Sequence, residues 1–214
     1  MATATRWVKV AVSMQSALGA TKTISAISQA NPGTVSSTAH GLSAGAYVAY
    51  TITGGMPQLN SRVLRITNAV ANAWDIESVD TTGYDAFTSG TAAQVTFGTG
   101  FSTLMDASPS GGDQQFINYR LLHDDVENLI PSVKAGQIYT FKSIWDPADA
   151  ALLAAEAAAD QAAQRAILLS FSNGKKFVMN GYVGCTLQPQ GNAGELVECT
   201  LTFSGQGRGK GYAT

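Results

Sequence analysis

The residue types that could do chemistry in this 214-residue chain are few and widely spaced. There are two histidines, His40 and His123, and two cysteines, Cys185 and Cys199. His40 precedes Gly41 in a stretch rich in turn formers, which marks it as a turn or surface residue rather than a catalytic base. His123 is followed by Asp124 and Asp125, and a metal held there would need a distant further ligand; a solvated or intersubunit polar turn is the plainer reading. Neither cysteine has a histidine close in sequence, so zinc-ligand spacing is missing. No Gly-x-Ser-x-Gly nucleophile elbow and no Gly-x-x-x-x-Gly-Lys phosphate loop occurs. Gly205-Gln206-Gly207-Arg208-Gly209-Lys210-Gly211 follows a strand pattern but opens no helix, so a dinucleotide reading fails and a flexible basic tail is expected. The expectation is a non-enzyme with no catalytic residue, no metal ligand and no cofactor.

The cysteines flank a turn expected around Gly191-Asn192-Ala193-Gly194. A hairpin centred on Asn192 would pair Val183 with Leu201, Cys185 with Cys199 and Leu187 with Val197, all on one apolar face. Such a pair could form a cross-strand disulfide or a reactive or metal-bound site, but buried, unreactive thiols are expected.

Composition points away from several function classes. Charged residues make up 13% of the chain, about half the roughly 25% of an average soluble protein. With 45% hydrophobic residues and abundant Ala, Gly, Ser and Thr, the surface suits coverage by other subunits. A net charge of −2 argues against nucleic-acid binding as the main task, because phosphate neutralisation needs clustered Lys and Arg. Five acids lie between Asp106 and Glu127 and four between Asp146 and Arg165, whereas Arg6, Lys9, Lys22, Arg208 and Lys210 make the ends basic. No apolar run approaches the ~20 residues of a membrane helix. Met1-Ala2-Thr3-Ala4-Thr5-Arg6-Trp7 lacks the pattern of a secretory signal, so cytoplasmic synthesis is expected.

The elements that would position these residues are mostly strands. A first strand is expected over Thr5 to Met14, with Val8, Val10, Val12 and Met14 on one face. From Ala30 to Gly90, turn-rich marks separate the alternating runs Ala46-Val48-Tyr50-Ile52, Arg62-Leu64-Ile66 and Trp74-Ile76-Ser78. Period-two alternation of this kind predicts half-buried strands joined by tight turns. The expectation is a small β-barrel domain at 23–97 inserted into a core domain formed by 1–22 and 98–214, peripheral enough to be removed. Gly98 to Gly112 reads as a long irregular loop, and its Phe101, Leu104 and Met105 have no evident reason to be apolar unless a neighbouring subunit covers them. Gln115 to Leu122 and Gly136 to Trp145 read as strands, with a helical turn possible over Asp124 to Ile130. One helix is expected from Pro147 to Ala166, capped by Asp146 and carrying eleven alanines. Leu152, Ala155, Ala159 and Ala162 would form its apolar stripe. Ile167 to Ser172 and Lys175 to Asn180 then make a hairpin across Asn173-Gly174. The fold class is mainly β, a β-sandwich or barrel core with one flanking helix.

The closing pattern, Phe171-Ser-Asn-Gly-Lys-Lys-Phe177, then Gly181-Tyr-Val-Gly184, then Leu196 to Gly205, resembles the major tail tube protein of long-tailed, non-contractile bacteriophages of the siphovirus type. The segment around His40-Gly41, Gly55-Met56, Leu59-Asn60 and Asp80-Thr81-Thr82-Gly83-Tyr84 resembles a small β module recurrent in phage structural proteins and named after a half-domain of ubiquitin-activating enzymes. The resemblance implies hexameric rings stacked into a hollow tube in the virion tail, assembled in the host cytoplasm. It also implies tail terminator, tail tip and tape measure proteins as partners, with viral DNA passing through without specific binding and no membrane involved. Under that reading Phe101, Leu104 and Met105 are expected at the contact between rings. Glu198 and Glu195 are expected to face the lumen, because Glu198 alternates with the apolar Val197, Cys199 and Leu201. A glycan- or receptor-binding module of the tail tip, a capsid decoration protein and a hydrolase are the rival readings.

Overall fold

A computed structural model of the chain describes residues 5, 7–123 and 125–213; Arg6 and Asp124 lie outside these described residues. In chain order the strands are β1 (Ala11–Leu18), β2 (Lys22–Ile24), β3 (Ala26–Ile27), β4 (Thr34–Ser36), β5 (Tyr47–Gly54), β6 (Val63–Val70), β7 (Ala73–Ile76) and β8 (Ser89–Phe101). There follow β9 (Leu104–Ser110), β10 (Gln114–Tyr119), β11 (Asn128–Lys134), β12 (Ile138–Ile144), the helix α1 (Ala150–Asp160), β13 (Gln164–Ser170), β14 (Lys176–Cys185), β15 (Glu198–Gly205) and β16 (Lys210–Tyr212). The protein is mainly β, with a strand core and one flanking helix among the described residues. Hydrogen bonding joins the strands in the order β3-β4-β7-β6-β5-β8-β1-β13-β14-β15-β12-β9, with β16 on β14 and β2 on β8. β10 and β11 form a separate two-stranded ribbon.

Three clusters of buried side chains hold this arrangement. One lies wholly between Ile24 and Ala92 and centres on Trp74, Tyr50, Leu64 and Ile66. The Trp74 indole donates to the Tyr50 hydroxyl at 2.8 Å, so the two large polar-tipped rings satisfy each other where water is excluded. A second cluster joins Val12 and Met14 to Phe141, Leu152, Ile167, Met179, Cys185, Cys199, Leu201 and Phe203. The third spans both regions: Tyr47, Val63 and Val95 pack with Ala166, Leu168, Val178 and Tyr212. The long strand β8 also runs through both, pairing with β5 at its start and with β1 at its end.

Several sequence expectations change. The first strand starts later, at Ala11, and continues through Ser16, Ala17 and Leu18; Val8 is exposed, and Lys9 takes a left-handed φ of 54° that keeps the preceding residues out of the strand. Gly98 to Gly112 is no irregular loop but the end of β8, a tight connection and β9, which pairs with β12 from Leu104 to Ser110. Gly98 sits in a strand because a Cβ there would come within 2.7 Å of the Ser16 hydroxyl; close strand approach, not chain breaking, explains it. The helical turn expected at Asp124 to Ile130 is replaced, from Asn128 onward, by β11. The helix is shorter than its alanines predict. Its cap is Asp149, whose Oδ1 accepts from the amides of Ala151 (2.7 Å) and Leu152 (3.1 Å), while Asp146 accepts from the Ala148 amide. Ala162 turns left-handed at φ 47°, and Gln164 onward is claimed by pairing with β14. The buried face is therefore Ala151, Leu152, Ala155 and Ala158.

The expected flexible tail is ordered as well: Lys210–Tyr212 pairs with Lys176–Val178. In the cysteine hairpin Cys185 lies opposite Leu201 and Val183 opposite Phe203, a register two residues away from the expected one. A slip of two keeps every side chain on its face, so both thiols are still buried, free and in the second cluster. Val197, expected on that face, precedes β15 and is exposed.

Candidate assembly surfaces

The candidate chemical groups resolve into structural ones. His40 is almost fully buried, edge-on to Trp74 with centroids 4.7 Å apart. Its Nδ1 accepts from the Leu42 amide at 3.0 Å, and its Nε2 donates to the Val70 carbonyl. It pins two turns and is no surface residue. His123 and Asp125 are exposed, and no group of three or more potential metal ligands occurs among the described residues. Burial pushes the Cys185 thiol up to about 11, with Cys199 and then Glu156 adding to the effect. Cys199 is raised too, by burial and then by Asp149, against a hydrogen bond with Ser143. Neither thiol is an activated nucleophile.

Phe101 and Leu104 pack against the second core cluster, next to Val12 and Phe141, which gives both an apolar role within the chain. Met105 points outward and is 43% exposed. Glu195 closes a turn with Asn192, whose side-chain amide donates to Oε2 at 2.9 Å. Glu198 opens β15 opposite Ile144, on the face away from Cys199 and Leu201, with Lys142 Nζ at 3.6 Å. Lys142 also lies opposite Asp106 of β9. The outer face of β9, β12 and β15 thus carries mostly Ser and Thr, with two acids, one lysine and the two partly exposed isoleucines Ile138 and Ile144. An exposed pair of this kind adds little stability.

The surface that sequence reasoning missed is the β10–β11 ribbon. Ile117 lies opposite Ile130, while Phe116 lies opposite Pro131, and Asn118 opposite Leu129. Neighbouring residues of a strand point to opposite faces, so Ile117 and Ile130 cover one face and Phe116 and Leu129 the other. All four are open to solvent: 58%, 51%, 55% and 61% exposed respectively. Leu121, Leu122 and Val126 at the tip are exposed too. The signal in the sequence was the adjacent pair Phe116-Ile117 facing a second adjacent pair, Leu129-Ile130. Half-buried strands alternate; this ribbon does not, and it presents apolar side chains on both faces. An isolated two-stranded ribbon is marginal in water, and contiguous exposed apolar surface marks an interaction site.

The edges of the main sheet differ in kind. β3 ends it with two residues, Ala26–Ile27, whereas β9 ends it with seven, Leu104–Ser110. A long unpaired edge is a template for another strand. No helix among the described residues is long and apolar enough to cross a membrane.

Comparison with known proteins agrees with a surface built for assembly. No curated protein matches the chain closely enough to count as a relative. A family model described as phage tail tube protein matches residues 54–214, about three quarters of the chain, including both strands of the apolar ribbon and the β9 edge. The chain belongs to the phage tail tube protein family.

Proposed function

We propose that this protein polymerises as stacked hexameric rings into the tail tube of a siphovirus-type phage, and that the tube is the conduit for genome delivery. The observation that carries the reading is the β10–β11 ribbon, apolar on both faces and covered on neither. A second copy on each side would cover it, and a heterologous contact of this kind either closes into a ring or propagates along an axis. The open β9 edge supplies another contact, and Met105 within that strand is a candidate for the junction between rings, with Phe101 and Leu104 supporting it from within the chain.

The Ser- and Thr-rich face with Asp106, Lys142 and Glu198 is the proposed lumen wall, with Glu195 at its margin. Two acids against one lysine leave it weakly negative, which repels DNA phosphates and keeps the wall from holding what slides past. The proposed partners are tail terminator, tail tip and tape measure proteins, with assembly in the host cytoplasm and no enzymatic step. The 23–97 region, read as the inserted module related to the half-domain of ubiquitin-activating enzymes, is assigned to the outside of the tube. Negative-stain electron microscopy of the purified protein tests the core of the proposal. Six-fold rings or tubes are expected at high concentration; a protein that stays monomeric or trimeric at every concentration overturns it.

A further inference from the structure

The glycine-rich segment before β16 is pressed onto the 23–97 region. Gly207 adopts a left-handed φ of +77°, and a Cβ there would come 3.2 Å from Cγ of Arg62. The segment roofs that arginine. Arg62 is only 7% exposed, and its Nε is buried with no hydrogen-bond partner. Its Nη1 reaches the Tyr84 hydroxyl only at 3.5 Å. Among the described residues no carboxylate forms an ion pair with Arg62, Arg208 or Lys210. A buried guanidinium with an unsatisfied donor is costly unless something anionic completes it.

The three cations line one cleft of about 410 Å³, together with Ser78, Asp80 and Tyr84. Lys210 Nζ donates to the Ser78 carbonyl at 2.6 Å. Its ammonium is held below the usual lysine range, first by burial and then by Arg62 and Arg208, with Glu77 opposing, so the cations feel one another. Asp80 is the acid in the lining, and its Oδ1 is already occupied by the Thr82 amide (2.9 Å) and hydroxyl (2.6 Å). Glu77 is engaged with Arg65. The cleft is left positive.

We propose that this cleft binds an oxyanion, with Arg62 as the buried anchor and Arg208 and Lys210 closing over it from the glycine-rich segment. The planar fork of a guanidinium matches two oxygens of a phosphate or a carboxylate, and the glycines let the backbone close over a ligand without a side chain in the way. Two sources bring that chemistry: free phosphate, or a carboxylate side chain of a second copy of this chain. The site belongs to the single folded chain, so it stands or falls independently of ring formation.

The test titrates inorganic phosphate into the full-length protein at neutral pH, against chloride of matched ionic strength, followed by phosphorus NMR line width and by Tm. Saturable phosphate binding that raises Tm beyond chloride is expected. Arg62→Met should weaken it roughly tenfold, the loss of one charge-assisted hydrogen-bonding partner. Because Arg62 also packs within the fold, Arg208→Gln serves as the second variant: it should weaken phosphate several-fold and leave Tm in chloride unchanged, with Arg208→Lys restoring part of the binding. Phosphate that acts no differently from chloride, or acts equally on the wild type and Arg208→Gln, overturns the proposal. The source is read from assembly. Phosphate that slows ring or tube formation relative to chloride assigns the cleft to a neighbour's carboxylate, and assembly that is unchanged or faster assigns it to the free ion.

Discussion

Replacing one side chain on each face of the β10–β11 ribbon separates a covered surface from an idle one. Ile117 and Phe116 are adjacent in sequence but point to opposite faces, and both are more than half exposed in the single chain. Full burial of such a side chain is worth about 1.5–3 kcal/mol, so covering the exposed half yields about 1 kcal/mol for each. Ile117→Ala should therefore raise the concentration needed for assembly about fivefold. Ile117→Asp also strands a carboxylate in the contact, for a combined cost of about 3 kcal/mol or more, which is a shift of at least about a hundredfold. Phe116→Asp should do the same if the second face is covered too. The monomer should be indifferent, because exposed substitutions change stability by only about 0.5 kcal/mol. Sedimentation and electron microscopy across a concentration series read the assembly threshold, and thermal melting of dilute protein reads the monomer. Unchanged thresholds in both aspartate variants would refute the reasoning. A threshold that moves for only one variant would refute coverage on both sides.

Other consequences are simpler to state. Joining residue 24 to residue 95 by a short linker, which the sequence alone suggests is harmless, should yield insoluble protein, because Ala166, Leu168, Val178 and Tyr212 lose the cover of Tyr47 and Val63; soluble, cooperatively melting protein would count against this. Cys185 and Cys199 should resist alkylation at neutral pH until the protein unfolds. The folded pKa of Cys185, about 11, lies above its ordinary 9.0, so the unfolded chain releases its proton first and stability should fall as pH rises past about 9; a flat stability profile between those values would be contrary. Asp149→Ala should cost about 1 kcal/mol through loss of the helix cap, visible in chemical denaturation, whereas Asp146→Ala should cost less.

How far the sequence could be read depended on which physical rule governed each element. Alternation places Cys185, Cys199, Leu201 and Phe203 on one buried face, because a period of two survives any even slip. It does not place Cys185 opposite Leu201 rather than Cys199, since the turn closes between Asn192 and Glu195 rather than around Asn192, and an irregular stretch separates the Gln190–Glu198 bridge from the β14–β15 ladder. Alanine propensity carries a helix to Ala166, but propensity is worth only tenths of a kcal/mol per residue, and seven residues from Gln164 to Ser170 gain a ladder with β14 instead. Gly98 reads as a breaker and proves to be a close approach between β8 and β1. The hidden cleft was legible in part. Arg208 and Lys210 stand out among glycines, but nothing local announces that Arg62, well over a hundred residues earlier, lies beneath them.

The distribution of uncovered apolar side chains bears on where each region stands in an assembly. Between residues 23 and 97 the one large apolar side chain left exposed among the described residues is Val70. That region closes a full cluster of its own around Trp74, and turns what remains, Tyr47, Val63 and Val95, onto the rest of the chain. Its outer edge, β3, is two residues long and offers little to pair with. Elsewhere the pattern reverses: Met105, the ribbon residues Phe116, Ile117, Leu129 and Ile130, and Leu196 are all open to solvent. A monomer gains nothing by exposing them, and an outer surface would be penalised for them by aggregation. A region that has finished its own burial needs no neighbour to cover it, whereas one that has not gains by contact with other copies. That division supports placing 23–97 outside the tube, with the ribbon and the β9 edge between copies, and it ties the oxyanion cleft to the seam between the two regions, where Arg62 of the one is roofed by the glycine-rich segment of the other.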